Sequence, residues 1–225
     1  MMASRRQHLR AEMESNIRRC AYEQIAVGGA EALSMNAIAK TLGVSGPALY
    51  RYFASRDELL AELVMESWED LAARMESAAH ASADIPVADR FRAEARAYRQ
   101  WALGNPSRYR LLNGTRFGTG VLDPGRIIPA AHRSMLVVLA ALGEIIPVDG
   151  VEPVSDIDPE LASQLTTWAA SRPADPGLSP DILLRGVLAQ TRIHGILSLE
   201  IEGYFSQLGI DAELLFANEV ESLMR

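Results

Sequence analysis

Absences narrow this chain first. One cysteine in 225 residues excludes an internal disulfide framework and suits a reducing compartment. The four histidines, His8, His80, His132 and His194, stand far apart, with no H-E-x-x-H or H-x-x-E-H pairing and no cysteine cluster. No metal site and no cofactor are therefore expected. There is no G-x-S-x-G, and Gly114, Gly118, Gly120 and Gly125 follow no strand that would make a phosphate-cradling loop. Glu200 and Glu202, two apart on a helix, diverge. Nothing is left to serve as a catalytic residue, and no enzyme is expected. The longest apolar run, SMLVVLAALG at 134–143, is too short to cross a bilayer and reads as a buried helix, so no membrane partner is expected. The N-terminal MMASRRQHLRAEME has no apolar core and does not read as a signal peptide, which makes the expected location cytoplasmic. No stretch alternates as a strand does, and there are no repeats or low-complexity tracts.

What remains is helical period almost throughout. The expected architecture is all-α, about nine helices, with three or four in an N-terminal head (residues 1–60) and the rest in a larger body (61–225). The first helix is expected over 10–27, with Ile17, Ala21 and Ile25 on one face and Gly28-Gly29 ending it. Ser55 and Glu58 form a capping box that starts a long fourth helix toward His80. Further helices are expected at 86–103, up to 112, and at 126–142, 160–170, 180–202 and 212–224. Ser179-Pro180 reads as an N-cap followed by a first-position proline. The net charge of −7 is unevenly spread. Residues 1–60 hold eight basic and six acidic side chains, a sum of +2, so the remainder carries −9. A mildly basic head on an acidic body orients the head toward phosphates.

The most specific stretch is residues 34–58, SMNAIAKTLGVSGPALYRYFASRDE. It predicts a short helix opened by Ser34, a tight turn at Gly43, a second short helix opened by Ser45, and the capping box. That is the layout of a helix-turn-helix. Leu33, Ile38, Leu42, Val44, Leu49 and Phe53 are spaced for a small core. Pro47 has no N–H, so the Ser45 hydroxyl is expected to accept from Ala48. Gly46 and Ala48 are small enough for the helix start to approach base edges. Tyr50, Arg51 and Tyr52 carry donors for phosphates, although Tyr50 also fits a core aromatic. The arginines at 5, 6 and 10 fit either a solvated tail or an arm reaching DNA. Cys20 reads as a buried thiol.

The run from Ile17 to Leu60, and within it G-V-S-x-x-x-L-Y-x-Y-F-x-S-R-x-E-L, resembles the TetR family of bacterial transcription regulators. The resemblance implies an all-helical homodimer with a DNA-binding head and a divergent ligand-binding body. It implies phosphate contacts from Ser34, a major-groove face of Ser45, Gly46, Pro47 and Ala48, and a backbone grip by Tyr50, Tyr52 and Arg56. Asn36 and Lys40 are further candidates. Tyr52 and Arg56 stand where the family commonly has His and Lys; both keep a donor. The implied partners are a palindromic double-stranded operator, a second copy of the chain and an unidentified small apolar or amphipathic effector, with repression as the expected direction.

WALGNPSRY at 101–109 and RIHGILSLEIEG at 192–203 are similar to the C-terminal domain of TetR-like regulators. Tyr98, Trp101, Tyr109, Phe117, Met135, Leu139 and Trp168 either line a ligand cavity or fill the core; Leu136 shares that choice. The glycine-rich segment 114–125 reads as a gate. Gly195 inside a helix suggests close helix approach, and His194 reads as a hydrogen-bonded structural residue. Leu184, Leu188, Ile193, Leu197, Ile201, Leu215, Phe216 and Val220 serve either the core or a four-helix dimer interface. The rival to a DNA reader is a helical interaction or small-molecule-binding protein without DNA binding.

Overall fold

The computed structural model describes residues 2–114, 123–145, 157–171 and 177–224. Among them there is no strand, and eleven helices follow one another: α1 (Met2–Gly28), α2 (Met35–Thr41), α3 (Gly46–Leu49), α4 (Arg56–Ala81), α5 (Val87–Gly104), α6 (Pro106–Gly114), α7 (Pro124–Ile145), α8 (Pro159–Ala170), α9 (Pro180–Ile201), α10 (Tyr204–Leu208) and α11 (Ala212–Leu223). A single 3₁₀ turn, Ala30–Ala32, joins α1 to α2. The all-α expectation holds. The sequence reading missed the 3₁₀ turn and α10, each too short to show a period, and began α1 eight residues late because residues 5–12 are exposed and carry no apolar stripe.

Local chemistry sets most helix starts. Ser34 accepts from the Ala37 N–H at 3.3 Å and Ser55 from the Glu58 N–H at 2.9 Å, while the Glu58 carboxylate reaches back to the Ala54 N–H. Ser179 accepts from Ile182 with Pro180 at the first position, and Asp211 accepts from both Glu213 and Leu214. Gly43, at φ +66°, takes the left-handed conformation that the α2–α3 turn needs.

The chain divides into two compact units: Met1–Trp68 with Asn105–Ile127, and Glu69–Gly104 with Ile128–Arg225. In the first, Ile17, Ile38, Leu49, Leu59 and Leu63 are almost wholly buried. Tyr22 hydrogen-bonds the Leu63 carbonyl at 3.1 Å, and burial pushes its phenol up to about 12. Cys20 is buried, as expected. In the second, Leu139, Leu165, Ala169, Ile182 and Leu183 form a core with Met135 and Trp168 packed against it. Two arginine forks tie α5 to its neighbours: Arg99 to Glu200 of α9 at 2.6 and 3.0 Å, and Arg92 to Glu221 of α11 at 2.6 and 2.8 Å.

α7 extends well beyond the ten-residue apolar run. Over Gly125–Ile145 it is long and apolar enough to cross a membrane by length and composition alone. Ile127, Ala130, Leu139, Ala141 and Leu142 are nevertheless buried inside the protein, as in the core helix of a folded domain.

Within the protomer, the close helix approach is at Gly186. A Cβ at Gly186 would lie 2.4 Å from Leu139 Cδ2, whereas at Gly195 it would meet nothing within 4 Å. Gly186→Val is expected to lower the unfolding free energy by about 2–3 kcal/mol in urea titration. Combining it with Leu139→Ala is expected to cost less than the sum of the two single changes, because the smaller residue relieves the overlap.

Candidate nucleic-acid interface

The α2–α3 turn hangs on three buried anchors. Ile38 of α2, Leu49 of α3 and Phe53 just beyond it are almost fully buried. With Leu49 turned inward, the opposite side of α3 faces out. Ser45, Pro47 and Arg51 are exposed, as is Tyr50 at 46%, so Tyr50 is not a core aromatic. Gly46 and Ala48 are half-buried, with the Asn36 carboxamide oxygen 3.9 Å from where a Gly46 Cβ would sit. Asn36 and Lys40 are exposed on α2, and Ser34 is half-buried. The turn closes through the Val44 N–H to the Ala39 carbonyl at 3.0 Å.

The Ser45 cap differs from expectation. Its hydroxyl makes no capping bond; the Ala48 N–H donates to the Ser45 carbonyl at 3.0 Å instead. The first helical turn closes through the backbone, so the hydroxyl is not committed to the cap.

Arg56 has internal partners. Its Nε donates to the Leu33 carbonyl at 3.0 Å and its Nη2 to the Ala30 carbonyl at 2.6 Å. Nη1 lies 3.4 Å from Asp57 Oδ1. The guanidinium therefore clamps the 3₁₀ turn to the start of α4, its fork spanning the carbonyls of Ala30 and Leu33. Sequence spacing gave no sign of this, because the acceptors are backbone atoms more than twenty residues away. Tyr52 is half-buried, with the Arg10 guanidinium 5.8 Å over its ring.

The proposed pocket residues fall in both units. Tyr109 is buried in the first unit. Trp101 is buried in the second, its indole N–H donating to Asp70 at 2.7 Å. Met135, Leu139 and Trp168 belong to the core of the second unit, and Trp168 meets His132 edge-on at 6.0 Å. Leu136 lines an open groove instead. Phe117, and most of the segment read as a gate, lie outside the described residues. Tyr98 lines a small, partly open chamber, together with Met75, Phe91, Val138, Ile193 and a residue the sequence reading missed, Glu94. The signal was available: Glu94 is the one acid in the inward stripe Phe91, Glu94, Ala95, Tyr98, Trp101.

The proposed interface residues also separate. Ile193, Leu197, Phe216 and Val220 are buried within the protomer, Leu197 completely, so they are core rather than interface. Leu184, Ile201 and Leu215 are half-buried, and Leu188 is exposed. Helical period alone had joined two different apolar faces. His194 is half-buried with Ser198 Oγ 3.4 Å from its ring, and burial holds its pKa below the ordinary value.

Arg56→Ala is expected to destabilise the chain by about 1–2 kcal/mol and to speed amide exchange in residues 30–38, read by mass spectrometry. Arg56→Lys is expected to recover less than half of that loss, because one ammonium cannot span both carbonyls.

Comparison with known proteins agrees with this geometry. Residues 17–63 match the family described as bacterial regulatory proteins, tetR family, and residues 91–223 match the tetracyclin repressor-like C-terminal domain. An HTH-type transcriptional regulator of Mycobacterium tuberculosis is 30% identical over 207 residues, 92% of this chain and 87% of its own length. The solved structure of the regulatory protein SCO4313 superposes with a TM-score of 0.79 at 36% identity, covering 96% of this chain and 97% of that one. The TetR family regulator PfmR of Thermus thermophilus shares the fold, with a TM-score of 0.61 at 20% identity over 93% of this chain and 97% of its own. The chain belongs to the TetR family: it is a transcription regulator with a helix-turn-helix DNA-binding domain, not an enzyme.

Proposed function

We propose that this regulator is a ligand-responsive repressor that binds a palindromic operator as a homodimer in the cytoplasm. Residues 1–60 act as the DNA-binding head and 61–225 as the ligand-binding and dimerisation body. The observation that carries the DNA reading is the outward face of α2 and α3, where Asn36, Lys40, Ser45, Pro47 and Tyr50 are all exposed beside a buried Leu49. In this reading Ser45, Gly46, Pro47 and Ala48 face the major groove, and Ser34, Lys40, Tyr50 and Tyr52 hold phosphates. Arg56 acts by fixing the head rather than by touching DNA. Small side chains at 45–48 leave part of the specificity to DNA shape.

The dimer reading rests on an exposed stripe. Leu188, Arg192, Gly195 and Leu199 recur along one side of α9, and all four are exposed; on α11, Leu214 is 69% exposed. Gly195, open on its own protomer, lets a second copy's helix approach closely. α4 is shared by both units, so a ligand that favours one setting of α4 shifts the DNA-competent population by its differential affinity.

Two measurements test this. An operator is first selected from random duplex DNA and binding is followed by anisotropy across a salt series. Lys40→Ala is expected to weaken binding about tenfold and to reduce the salt slope by about one, and Ser45→Ala to lose affinity while leaving stability within about 0.5 kcal/mol. Undiminished binding in both variants counts against the interface. In sedimentation, Leu199→Glu with Leu214→Glu is expected to yield folded monomers of reduced operator affinity; an intact dimer overturns the α9–α11 interface.

A further inference from the structure

The small chamber of the second unit has a carboxylate that its surroundings leave unsatisfied. Glu94 is 2% exposed, and its Oε2 has no hydrogen-bond partner among the described residues. Its Oε1 lies 3.8 Å from Arg90 Nε, but that guanidinium is committed to Glu144, 2.6 Å from Nη2. On the same side, Glu76 is paired with the fork of Arg133. Three carboxylates thus face two guanidinium groups. The uncompensated negative charge falls on Glu94, the buried one of the three.

Two spaces meet at this carboxyl. One is the chamber, about 20 Å³, which Tyr98 and Gln190 also line, the Gln190 amide donating to the Tyr98 hydroxyl at 3.3 Å. The other is an open groove of about 410 Å³, floored by Leu136, Val137, Ala140 and Ala141 of α7. The chamber has room for a group the size of one water, and the groove for a slim apolar body. An isolated buried carboxylate is costly, and a donor-rich cation is the group that offsets it.

We propose that Glu94 anchors the primary ammonium group of an amphipathic amine whose apolar chain lies along the α7 groove. This rests on the ligand-responsive reading above and names the chemical class of the effector. A primary ammonium offers three donors, enough for Glu94 Oε2 and for an oxygen of the Tyr98–Gln190 pair. A trimethylated head is too large for the chamber, and a neutral hydroxyl leaves the charge uncompensated.

The anchoring depends on pH. Burial pushes the Glu94 carboxyl up to about 7; Arg90 pulls it down and Glu144 raises it further. The charged and titratable groups facing it are Arg90 and Tyr98 from α5, Glu76 from α4, and Arg133 and Glu144 from α7, while α9 presents the uncharged Gln190. The amine binds the ionised carboxylate, so its affinity falls as Glu94 takes up a proton.

The test is calorimetric titration of the full chain with n-octylamine, 1-octanol and octyltrimethylammonium. At pH 8 octylamine is expected to bind at least about tenfold more tightly than either of the others, and to lose about tenfold between pH 8 and pH 6. Glu94→Gln is expected to abolish both the preference and the pH dependence. Equal binding of the three probes to the native chain overturns the proposal, as does a preference that survives in the Gln variant. The native series decides without the variant, should the variant fail to fold. Loss of amine preference with operator binding intact overturns this inference alone. A preference for octylamine that leaves operator affinity unchanged upholds the Glu94 anchor and removes only its link to DNA.

Discussion

A four-residue helix cannot hold itself together in water, because nucleation costs more than one turn returns. α3, Gly46–Leu49, is that short, and the exposed face of the head depends on how it is held. Burial of Leu49 and Phe53 fixes which side looks outward. Arg56 then closes the far end of the same small core, its two carbonyl bonds joining the 3₁₀ turn to the base of α4. Removing either support loosens the presentation of Ser45 and Tyr50 without touching them. In a head this small, a residue can matter to recognition by holding the frame, and Arg56 is placed to do so.

The second unit is organised differently. Arg99 and Arg92 reach from α5 to Glu200 and Glu221, so charge pairing reinforces the apolar contacts among α5, α9 and α11. Bidentate pairs constrain direction as well as distance, which sets how α5 faces α9 and α11. Glu94, on the same helix, breaks the pattern: it is the buried carboxylate that the surrounding arginines leave half satisfied. A domain that forks Glu200, Glu221 and Glu76 with arginines and leaves the buried Glu94 half satisfied beside an apolar space has a polar point around which a ligand can be read.

Legibility in the sequence followed the range of the interaction. The starts at Ser34, Ser55 and Ser179 and the turn at Gly43 depend on atoms within a few residues, and they stood in the sequence as they stand in the structure. The Ser45 cap failed at equally short range because a backbone bond competed with the hydroxyl and took the Ala48 N–H. Helical period found the apolar faces of α9 and α11 but could not say what covers them. Leu197 and Phe216 are packed inside the protomer, whereas Leu199 and Leu214 are exposed. The same blindness hid Gly186, where Leu139 packs directly against α9.

By itself, then, the sequence determined the all-helical class, the helix-turn-helix and the family, because those rest on local spacing, caps and a dense motif between Ile17 and Leu60. Only the tertiary structure decided that Arg56 clamps two distant carbonyls, that the proposed pocket aromatics are divided between two units, and that Glu94 sits between a groove and a chamber. The physical reason is common to all three. Each depends on atoms that packing brings together from helices far apart in the chain, and no periodicity along one helix records which surface of another will meet it.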